Sequence, residues 1–240
     1  MNIIKAGYEI MGDINAEEIY KRIESAGRTC YKSEDKITDE SAEKFVRGLI
    51  KRGHEAMLEH ASMTVKFIVD RGISHELVRH RVASFAQEST RYCNYSSDKF
   101  GKEITVIMPC FFDDIPIARR QGIMDYFDGI LKDLPGEDLT NHEKAFVDWY
   151  WACGNCEGAY FSMLENGCTP QEARDILPTS VKTEVVVTAN FRELRHILKL
   201  RAAGTTGAPH PQMVEVMRPL LAELKEKLPA IFEDIQIVGN

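Results

Sequence analysis

The sequence predicts an α+β fold: a mostly antiparallel sheet with helices packed against it and a helical subsidiary lobe, in a single domain over residues 1–240. Strand-like and helix-like segments intermingle without the regular alternation that a doubly wound parallel sheet requires. No internal repeat, low-complexity tract or Gly/Ser-rich linker divides the chain. The 240 residues, 44% of them hydrophobic, are also enough to bury one substantial core.

The first quarter of the chain predicts one strand and two helices. Residues 3–10 have the composition of a strand, and apolar positions at helical spacing over 16–26 predict a helix that stops at Gly27. A second amphipathic helix is predicted over 41–51, closed by Gly53. A strand therefore precedes two consecutive helices at the start of the fold.

Residues 61–69 alternate well enough to predict a strand whose Val65, Phe67 and Val69 share one face. Ser74 then has the position of an N-cap for a short helix that carries Arg79 and His80. In that helix Leu77 and Val78 are expected to turn toward the core.

The middle of the chain is predicted to be helical. After a polar, irregular stretch over 92–102, residues 103–109 predict a strand ended by Pro109. Residues 114–167 then have a helical pattern, rich in aromatic residues over 145–164, that ends at Gly167. This segment is the expected helical lobe.

The last third combines a strong helix start with the most strand-like segment of the chain. Thr169-Pro170-Gln171-Glu172 joins a hydroxyl cap, Pro at the first helical position and Glu three residues after the cap, and Pro178 stops that helix. The remaining elements are a strand over 183–189, helices over 191–201 and 211–227, and a short final strand over 231–238.

Composition narrows the function classes. The net charge of -7 and the pI of 5.6 argue against a surface built for nucleic acid, which needs an excess of Lys and Arg. The sequence contains no run of about 18 apolar residues, so it predicts no membrane span. The beginning of the chain lacks a signal-peptide pattern, and the six cysteines are too sparse for a disulfide scaffold. We expect a cytoplasmic protein.

Residues 79–92, RHRVASFAQESTRY, carry a high density of groups that bind anions. Arg79, Arg81, Ser89 and Arg91 could converge on one phosphate-sized object, because Arg grips phosphate with two parallel hydrogen bonds and Ser adds an uncharged donor. Ser89 fits phosphate binding better than nucleophilic attack, since no adjacent base is identified. The alternative is a solvated surface with scattered arginines.

The same segment resembles the signature of the flavin-dependent thymidylate synthases, which is Arg-His-Arg, then a serine, then Ser-x-Arg. Here those positions are Arg79, His80, Arg81, Ser84, Ser89 and Arg91. Further residues fall in the order and spacing of that family: Gly53-His54, Glu59-His60, His75-Glu76-Leu77-Val78, Arg174, Leu177-Pro178, Asn190-Phe191-Arg192, His196, Leu200-Arg201, His210 and Gln212. The matching motifs span residues 28 to 215.

The resemblance implies an enzyme that methylates dUMP to dTMP with bound FAD. It implies NADPH as reductant, 5,10-methylenetetrahydrofolate as carbon donor, and a homotetramer whose active sites are shared among subunits. No Gly-x-Gly-x-x-Gly follows a strand, so Arg and His side chains would have to neutralise the FAD pyrophosphate. No metal, nucleic-acid or membrane partner is expected.

The resemblance also implies a role for individual residues. Arg201 is the catalytic residue, because a guanidinium beside N3 and O2 of the uracil stabilises the anion that forms when N3 ionises. The residues implied for dUMP are Glu76, Leu77, Val78, Arg79, Gln87, Glu88, Ser89, Thr90, Arg91, Arg174 and Arg201. The residues implied for FAD are Ala56, Arg79, His80, Arg81, Gln87, Asn190, Phe191, Arg192 and His196. The role of His210 is left open.

Three alternatives stay open at the level of sequence. Cys110 follows a proline, as the nucleophile of the unrelated classical thymidylate synthases does, but we interpret it as a buried small apolar residue. A metallohydrolase could use His54, Glu55, Glu59 and His60, although their spacing does not suit one helix face. A nucleic-acid-binding module could use the arginines of 79–92 with Phe85 and Tyr92 as stacking surfaces.

Overall fold

The computed structural model describes residues 1–136 and 138–238, and it divides into two compact units. The first unit comprises Met1–Ala6, Val69–Ser74 and Glu88–Thr183, and the second comprises Gly7–Ile68, His75–Gln87 and Glu184–Asn240. The predicted α+β class is confirmed, whereas the single domain over 1–240 stays a prediction. No helix within the described ranges is long and apolar enough to cross a bilayer.

Within these ranges the strands are β1 (Asn2–Ile4), β2 (Gly7–Met11), β3 (Ser62–Asp70), β4 (Ala83–Gln87), β5 (Thr105–Ile107) and β6 (Lys182–Asn190). The α-helices are α1 (Ala16–Tyr31), α2 (Ser41–Lys51), α3 (Arg71–Leu77), α4 (Ile117–Phe127), α5 (Asn141–Glu165), α6 (Pro170–Ala173), α7 (Phe191–Arg201), α8 (Pro211–Lys227) and α9 (Pro229–Phe232). Short 3-10 turns cover Glu34–Lys36, Glu55–His60, Asp98–Phe100, Cys110–Phe112 and Arg174–Ile176.

In the first unit, helices pack beside a small parallel strand pair formed by β1 and β5. The helical middle predicted over 114–167 contains α4 and α5, and residues 128–136 after α4 form turns and bends. Thr140 and Glu143 form a reciprocal capping box that begins α5. Aromatic residues of α5 then enter two core clusters, whose buried members are Tyr95, Ile104, Val106, Cys153, Tyr160 and Ala173, and Met108, Phe112, Ile115, Ile123 and Phe146.

The second unit is built on a four-stranded sheet in the order β2-β3-β6-β4. β2 runs antiparallel to β3, and β4 runs antiparallel to β6. Alternate residues of β3 and β6 are buried, as the alternation of the sequence predicts, and they surround one small internal void together with apolar residues of α7 and α8. Helix α7 therefore buries its apolar face, while Arg192 and His196 remain exposed.

The strand predicted at the start of the chain is divided into two, and the strand predicted at its end is wrong. Residues 3–10 form two strands, because β1 pairs with β5 in the first unit and β2 pairs with β3 in the second. Residues 231–238 form no strand: Pro229 begins α9, and the carbonyl of Ile231 accepts from the Arg195 side chain. The apolar side chains of Ile231 and Ile235 are buried nonetheless, which is the signal that suggested a strand.

The prediction that the first helix stops at Gly27 is wrong, because Gly27 lies inside the helix. A Cβ at this position would lie 2.6 Å from the ring of Phe45, so the glycine permits close packing between α1 and α2. The helix ends four residues later, where Lys32 adopts a left-handed conformation with φ of 47°.

The short helix before the arginines begins earlier than predicted. Asp70, not Ser74, accepts from the backbone N–H at the third helical position, that of Ile73, at 2.9 Å. The helix ends at Leu77, so Val78 is 39% exposed, contrary to the expectation that it turns inward. Arg79 and His80 follow the helix, and the next residues form the unpredicted edge strand β4.

Candidate functional site

Arg201 lies in the last turn of α7 and is held by two residues of the second unit. Its Nε donates to Nε2 of His80 at 3.1 Å. Its Nη1 donates to Oε2 of Glu76 at 2.7 Å, and its Nη2 lies 3.4 Å from the Glu76 carbonyl oxygen. The side chain is 23% exposed, so solvent reaches it. The structure thus brings together three of the residues that the resemblance implied.

A guanidinium carries five N–H donors, and these contacts use three of them. Within the described ranges, one donor on each terminal nitrogen of Arg201 has no protein partner. These two donors belong to a charged, planar group and are available to acceptor atoms of a ligand. Arg201 can therefore bind such a ligand without giving up its contacts to Glu76 and His80.

His80 is a buried, neutral histidine. Burial, the positive charge of Arg201 and the nearby His196 together lower the pKa of His80 from 6.5 to about 4. The carboxylate of Glu193 lies 3.7 Å from Nδ1 but does not offset these effects. Because Nε2 accepts from Arg201, the single proton of the neutral ring belongs on Nδ1.

A cleft of 490 Å³ opens in the second unit close to His80, whose neighbours Glu193 and His196 line it. Three residues implied for FAD line it, namely Asn190, Arg192 and His196. Asn190 also caps α7, because its side chain accepts from the backbone N–H of Glu193 at 2.9 Å. The other lining residues are Glu55, Glu59, Val82, Glu193 and Lys199, which the sequence analysis did not assign to the flavin.

The two cationic side chains that line the cleft, Arg192 and Lys199, are each paired with a carboxylate of the cleft. Glu59 accepts from Arg192 at 2.5 Å, and both side chains are about half exposed. Glu55 accepts from Lys199 at 3.3 Å and from the buried Arg195 at 3.0 Å. Since the pair of Arg192 and Glu59 is solvated, an incoming phosphate can replace the carboxylate at little cost. Arg192 is therefore the residue of the cleft that a phosphate group could reach, beside the carboxylates of Glu55, Glu59 and Glu193.

Other residues implied for the flavin or the nucleotide take different positions in the second unit. Ala56, Arg79 and Arg81 are exposed, and neither arginine side chain has a hydrogen-bond or ion-pair partner within the described ranges. Phe191 is fully buried against Phe232, so its side chain does not reach the cleft. Gln87 ends the edge strand, where it pairs with Val185. Leu77 is buried as well.

In the first unit, Arg91 lies against the segment that leads to Arg174. Its Nε donates to Oε1 of Gln171 at 2.9 Å, and its guanidinium lies 5.4 Å from the ring centre of Tyr92. Ser89 begins a tight turn, in which its hydroxyl accepts from the Arg91 backbone N–H at 3.3 Å. Arg174 is exposed. The Ser89 hydroxyl thus contacts the Arg91 backbone while the Arg91 guanidinium contacts Gln171 and Tyr92, and the phosphate grip stays a prediction.

Glu88 has a structural environment of its own in the first unit. Its carboxylate pairs with Lys182 at 3.0 Å, and its backbone carbonyl accepts from Arg71 at 3.0 Å. Thr90 follows it and is half-buried. The implied contacts of Glu88, Thr90 and Arg174 with a nucleotide stay predictions, as does a convergence of Arg79 and Arg81 with Ser89 and Arg91.

The metallohydrolase alternative gains no structural support, whereas Cys110 differs from its predicted burial. In the part of the chain that the structure describes, no three His, Cys, Asp or Glu side chains gather to hold a metal ion. Glu55 and Glu59, two of the suggested ligands, are paired with cationic side chains instead. Cys110 is half-buried at the start of a 3-10 turn rather than fully buried. The buried cysteine is Cys153, where burial raises the pKa of the thiol to about 11.

Comparison with known proteins gives consistent matches. The profile of the thymidylate synthase complementing protein family matches residues 14–230. The flavin-dependent thymidylate synthase of Corynebacterium efficiens is 31% identical over 228 residues, covering 94% of this chain and 83% of that protein. The Mycobacterium avium protein of the same description is 31% identical over 221 residues, covering 90% and 79%.

A solved structure has the same fold. The UMP/dUMP methylase PolB from Streptomyces cacaoi, bound with 5-Br dUMP, matches with a TM-score of 0.72 and 23% sequence identity. The match covers 97% of this chain and 96% of that chain. The α+β arrangement described above is therefore shared with a protein whose sequence has diverged widely.

Proposed function

This chain belongs to the thymidylate synthase complementing protein family of flavin-dependent enzymes, and from that premise we propose that it methylates dUMP to dTMP. The proposed carbon donor is 5,10-methylenetetrahydrofolate, the cofactor is FAD and the reductant is NADPH. The observation that carries the proposal is Arg201, which is anchored by Glu76 and His80 and keeps two donors for a ligand.

Arg201 is proposed to hold the uracil through N3 and O2. When N3 loses its proton, negative charge spreads over the ring and raises the electron density at C5, where the new bond to carbon forms. A guanidinium keeps its charge when desolvated, so it stabilises this anion without taking up or releasing a proton. No cysteine has to add to the ring for C5 to become nucleophilic.

The residues proposed to hold FAD are Asn190, Arg192 and His196 in the cleft, with Ala56, His80, Arg79, Arg81, Gln87 and Phe191 implied by the family. Flavin bound there supplies the redox chemistry, which is transfer of the reducing equivalents of NADPH. Arg192 neutralises phosphate charge, and the exposed Val82 offers apolar surface beside it. The protein thus contributes binding, orientation and charge.

The dUMP phosphate is proposed to lie at Ser89 and Arg91, which the turn after β4 holds close together. Arg91 can form two parallel hydrogen bonds to phosphate, and the Ser89 hydroxyl adds a neutral donor. Glu76, Leu77, Val78, Arg79, Gln87, Glu88, Thr90 and Arg174 complete the proposed nucleotide site. A homotetramer with shared sites and a cytoplasmic location belong to the same proposal, on the strength of the family resemblance.

An assay of product formation tests the reaction. Purified protein with FAD, NADPH and methylenetetrahydrofolate should convert dUMP to dTMP, and omission of the folate should abolish the product. UMP is assayed in parallel as the alternative nucleotide substrate. A protein that binds dUMP but forms no dTMP under these conditions would contradict the proposal.

Replacement of Cys110 tests the choice of chemical route. Cys110→Ala should keep its turnover, because the proposed activation depends on Arg201 and needs no thiolate. The rate of dTMP formation and the far-UV circular dichroism are measured together. A folded Cys110→Ala protein without activity would reverse the choice and make the cysteine the nucleophile.

Glu59→Gln tests the cleft as the flavin site. The affinity for FAD should rise about two- to fivefold, because an exposed ion pair is worth up to about 1 kcal/mol and its loss frees Arg192 for phosphate. Quenching of flavin fluorescence on titration with apoprotein measures the change. Glu226→Gln, which alters an exposed carboxylate of α8, is the charge-matched control. Weaker FAD binding by Glu59→Gln than by the control would exclude the proposed competition.

A further inference from the structure

Glu193 has no role in the function proposed above, yet it lies against the residue that anchors Arg201. We propose that Glu193 is a positioning residue: its carboxylate accepts a hydrogen bond from the Nδ1–H of His80, which leaves Nε2 as the acceptor that aims the Arg201 guanidinium. The inference rests on the proposed function in one respect, which is that Arg201 is needed for turnover. The arrangement of Glu193, His80 and Arg201 rests on contacts within the second unit alone.

The contacts form a continuous series. The Glu193 Oε1 lies 3.7 Å from His80 Nδ1, and on the opposite side of the ring Nε2 accepts from Arg201 at 3.1 Å. His80 is 7% exposed, and the Glu193 side chain is 12% exposed. A movement of about 0.7 Å would bring the first contact to hydrogen-bond length. No other hydrogen bond of this carboxylate occurs within the described ranges.

The series works with one tautomer of His80 only. A neutral imidazole has one N–H donor and one acceptor nitrogen. With the proton on Nδ1, the ring donates toward Glu193 and accepts from Arg201. If the proton were on Nε2, its N–H would face the Nε–H of Arg201. The lone pair of Nδ1 would then face the carboxylate of Glu193. Glu193 and Arg201 therefore favour the same tautomer, and Glu193 adds to the preference that the Arg201 donor provides.

The position of Glu193 is itself fixed by the start of α7. Its backbone N–H donates to the side chain of Asn190 at 2.9 Å, so it occupies the first turn of the helix. A carboxylate is favoured there by the partial positive charge of the helix N-terminus. Arg201 stands at the other end of the same helix. One helix thus carries both the residue that orients His80 and the residue that His80 orients.

The direct test is the tautomer of His80, observed by nitrogen NMR on protein labelled at histidine. The signal that disappears in His80→Asn assigns the residue. The wild type should show a protonated Nδ1 at neutral pH. Glu193→Leu should move the spectrum toward a mixture of tautomers, whereas Glu193→Gln, which keeps an acceptor oxygen, should resemble the wild type. Glu226→Leu on α8 is the control. A wild type with a protonated Nε2 would overturn the inference.

Kinetics provide the second readout. Glu193→Leu should lower kcat about 10- to 100-fold, the usual effect of removing a group that orients a functional residue. The KM for dUMP and the flavin content should change much less, and Glu193→Gln should restore most of kcat. If Glu193→Leu loses flavin but has an unchanged kcat once it is reloaded with FAD, Glu193 is a flavin ligand and not a positioning residue. Should the Leu variant fail to fold, Glu193→Asp, whose carboxylate ends farther from His80, must show the same two changes in milder form.

The two readouts separate this inference from the proposed function. If the wild type forms no dTMP but the tautomer of His80 depends on residue 193, the proposed function fails while the positioning of His80 stands. If dTMP is formed and neither the tautomer nor kcat responds to Glu193→Leu, the positioning role is excluded.

Discussion

Arg201→Ala is expected to lower kcat for dTMP formation by about 10²- to 10³-fold, the usual effect of removing one preorganised group that stabilises a developing anion. The bound flavin should be retained, because Arg201 contacts Glu76 and His80 and does not line the cleft proposed for flavin. Turnover at saturating dUMP and the visible absorbance of the same sample measure the two properties.

Two further variants make this result specific. Arg201→Lys keeps the positive charge but not the planar set of donors, so it should recover a minor part of the rate. Arg22→Ala, which removes an exposed arginine of α1, should behave as the wild type. Full activity of Arg201→Ala would remove the guanidinium from the mechanism, and loss of flavin in that variant would move it to the cofactor site.

Asp234→Ala is expected to reduce the free energy of unfolding by about 2 to 3 kcal/mol, because it removes one partner of a buried charge. The Arg195 side chain is 1% exposed, and Asp234 accepts from both of its terminal nitrogens at 2.6 and 2.7 Å. Burial by itself opposes ionisation of Asp234, but these hydrogen bonds outweigh it and lower the pKa of the carboxyl. Urea unfolding at neutral pH measures the change.

The comparison with Arg195→Met separates a buried charge from lost packing. That variant removes the buried cation and leaves Asp234, which is 43% exposed and can be solvated, so it should cost less than Asp234→Ala. The double variant should be more stable than Asp234→Ala alone. A larger loss for Arg195→Met than for Asp234→Ala would show that the other contacts of the arginine, which include Glu55 and the Ile231 carbonyl, outweigh its pair with Asp234.

Strong periodicity made some elements predictable to the residue. The helices 41–51, 191–201 and 211–227 have the predicted bounds because each combines an apolar stripe with clear end signals. The strand-like residues 183–189 lie within β6 for the same reason. Local sequence was not enough to predict the conformation of a segment whose structure depends on its packing or pairing partner. Residues 3–10 divide between two strand pairs, and Gly27 serves a contact with Phe45 that lies far away in sequence.

The candidate site was predictable in its motif residues and not in their connections. The resemblance to the flavin-dependent thymidylate synthases is confirmed, and Glu76, His80 and Arg201 do meet in the second unit. Glu193 and Lys199 carried no signal, because a charged residue on a helix between motif positions looks like an ordinary solvated residue. Gln171 likewise looked like part of a helix start, although it contacts Arg91.

The visible absorbance spectrum of the purified protein is the most decisive test of the proposed flavin dependence. A flavin-dependent enzyme should be yellow, or should become so when loaded with FAD, and its absorbance should bleach on addition of NADPH and return as dTMP forms. A colourless protein that cannot be loaded with FAD would contradict the account.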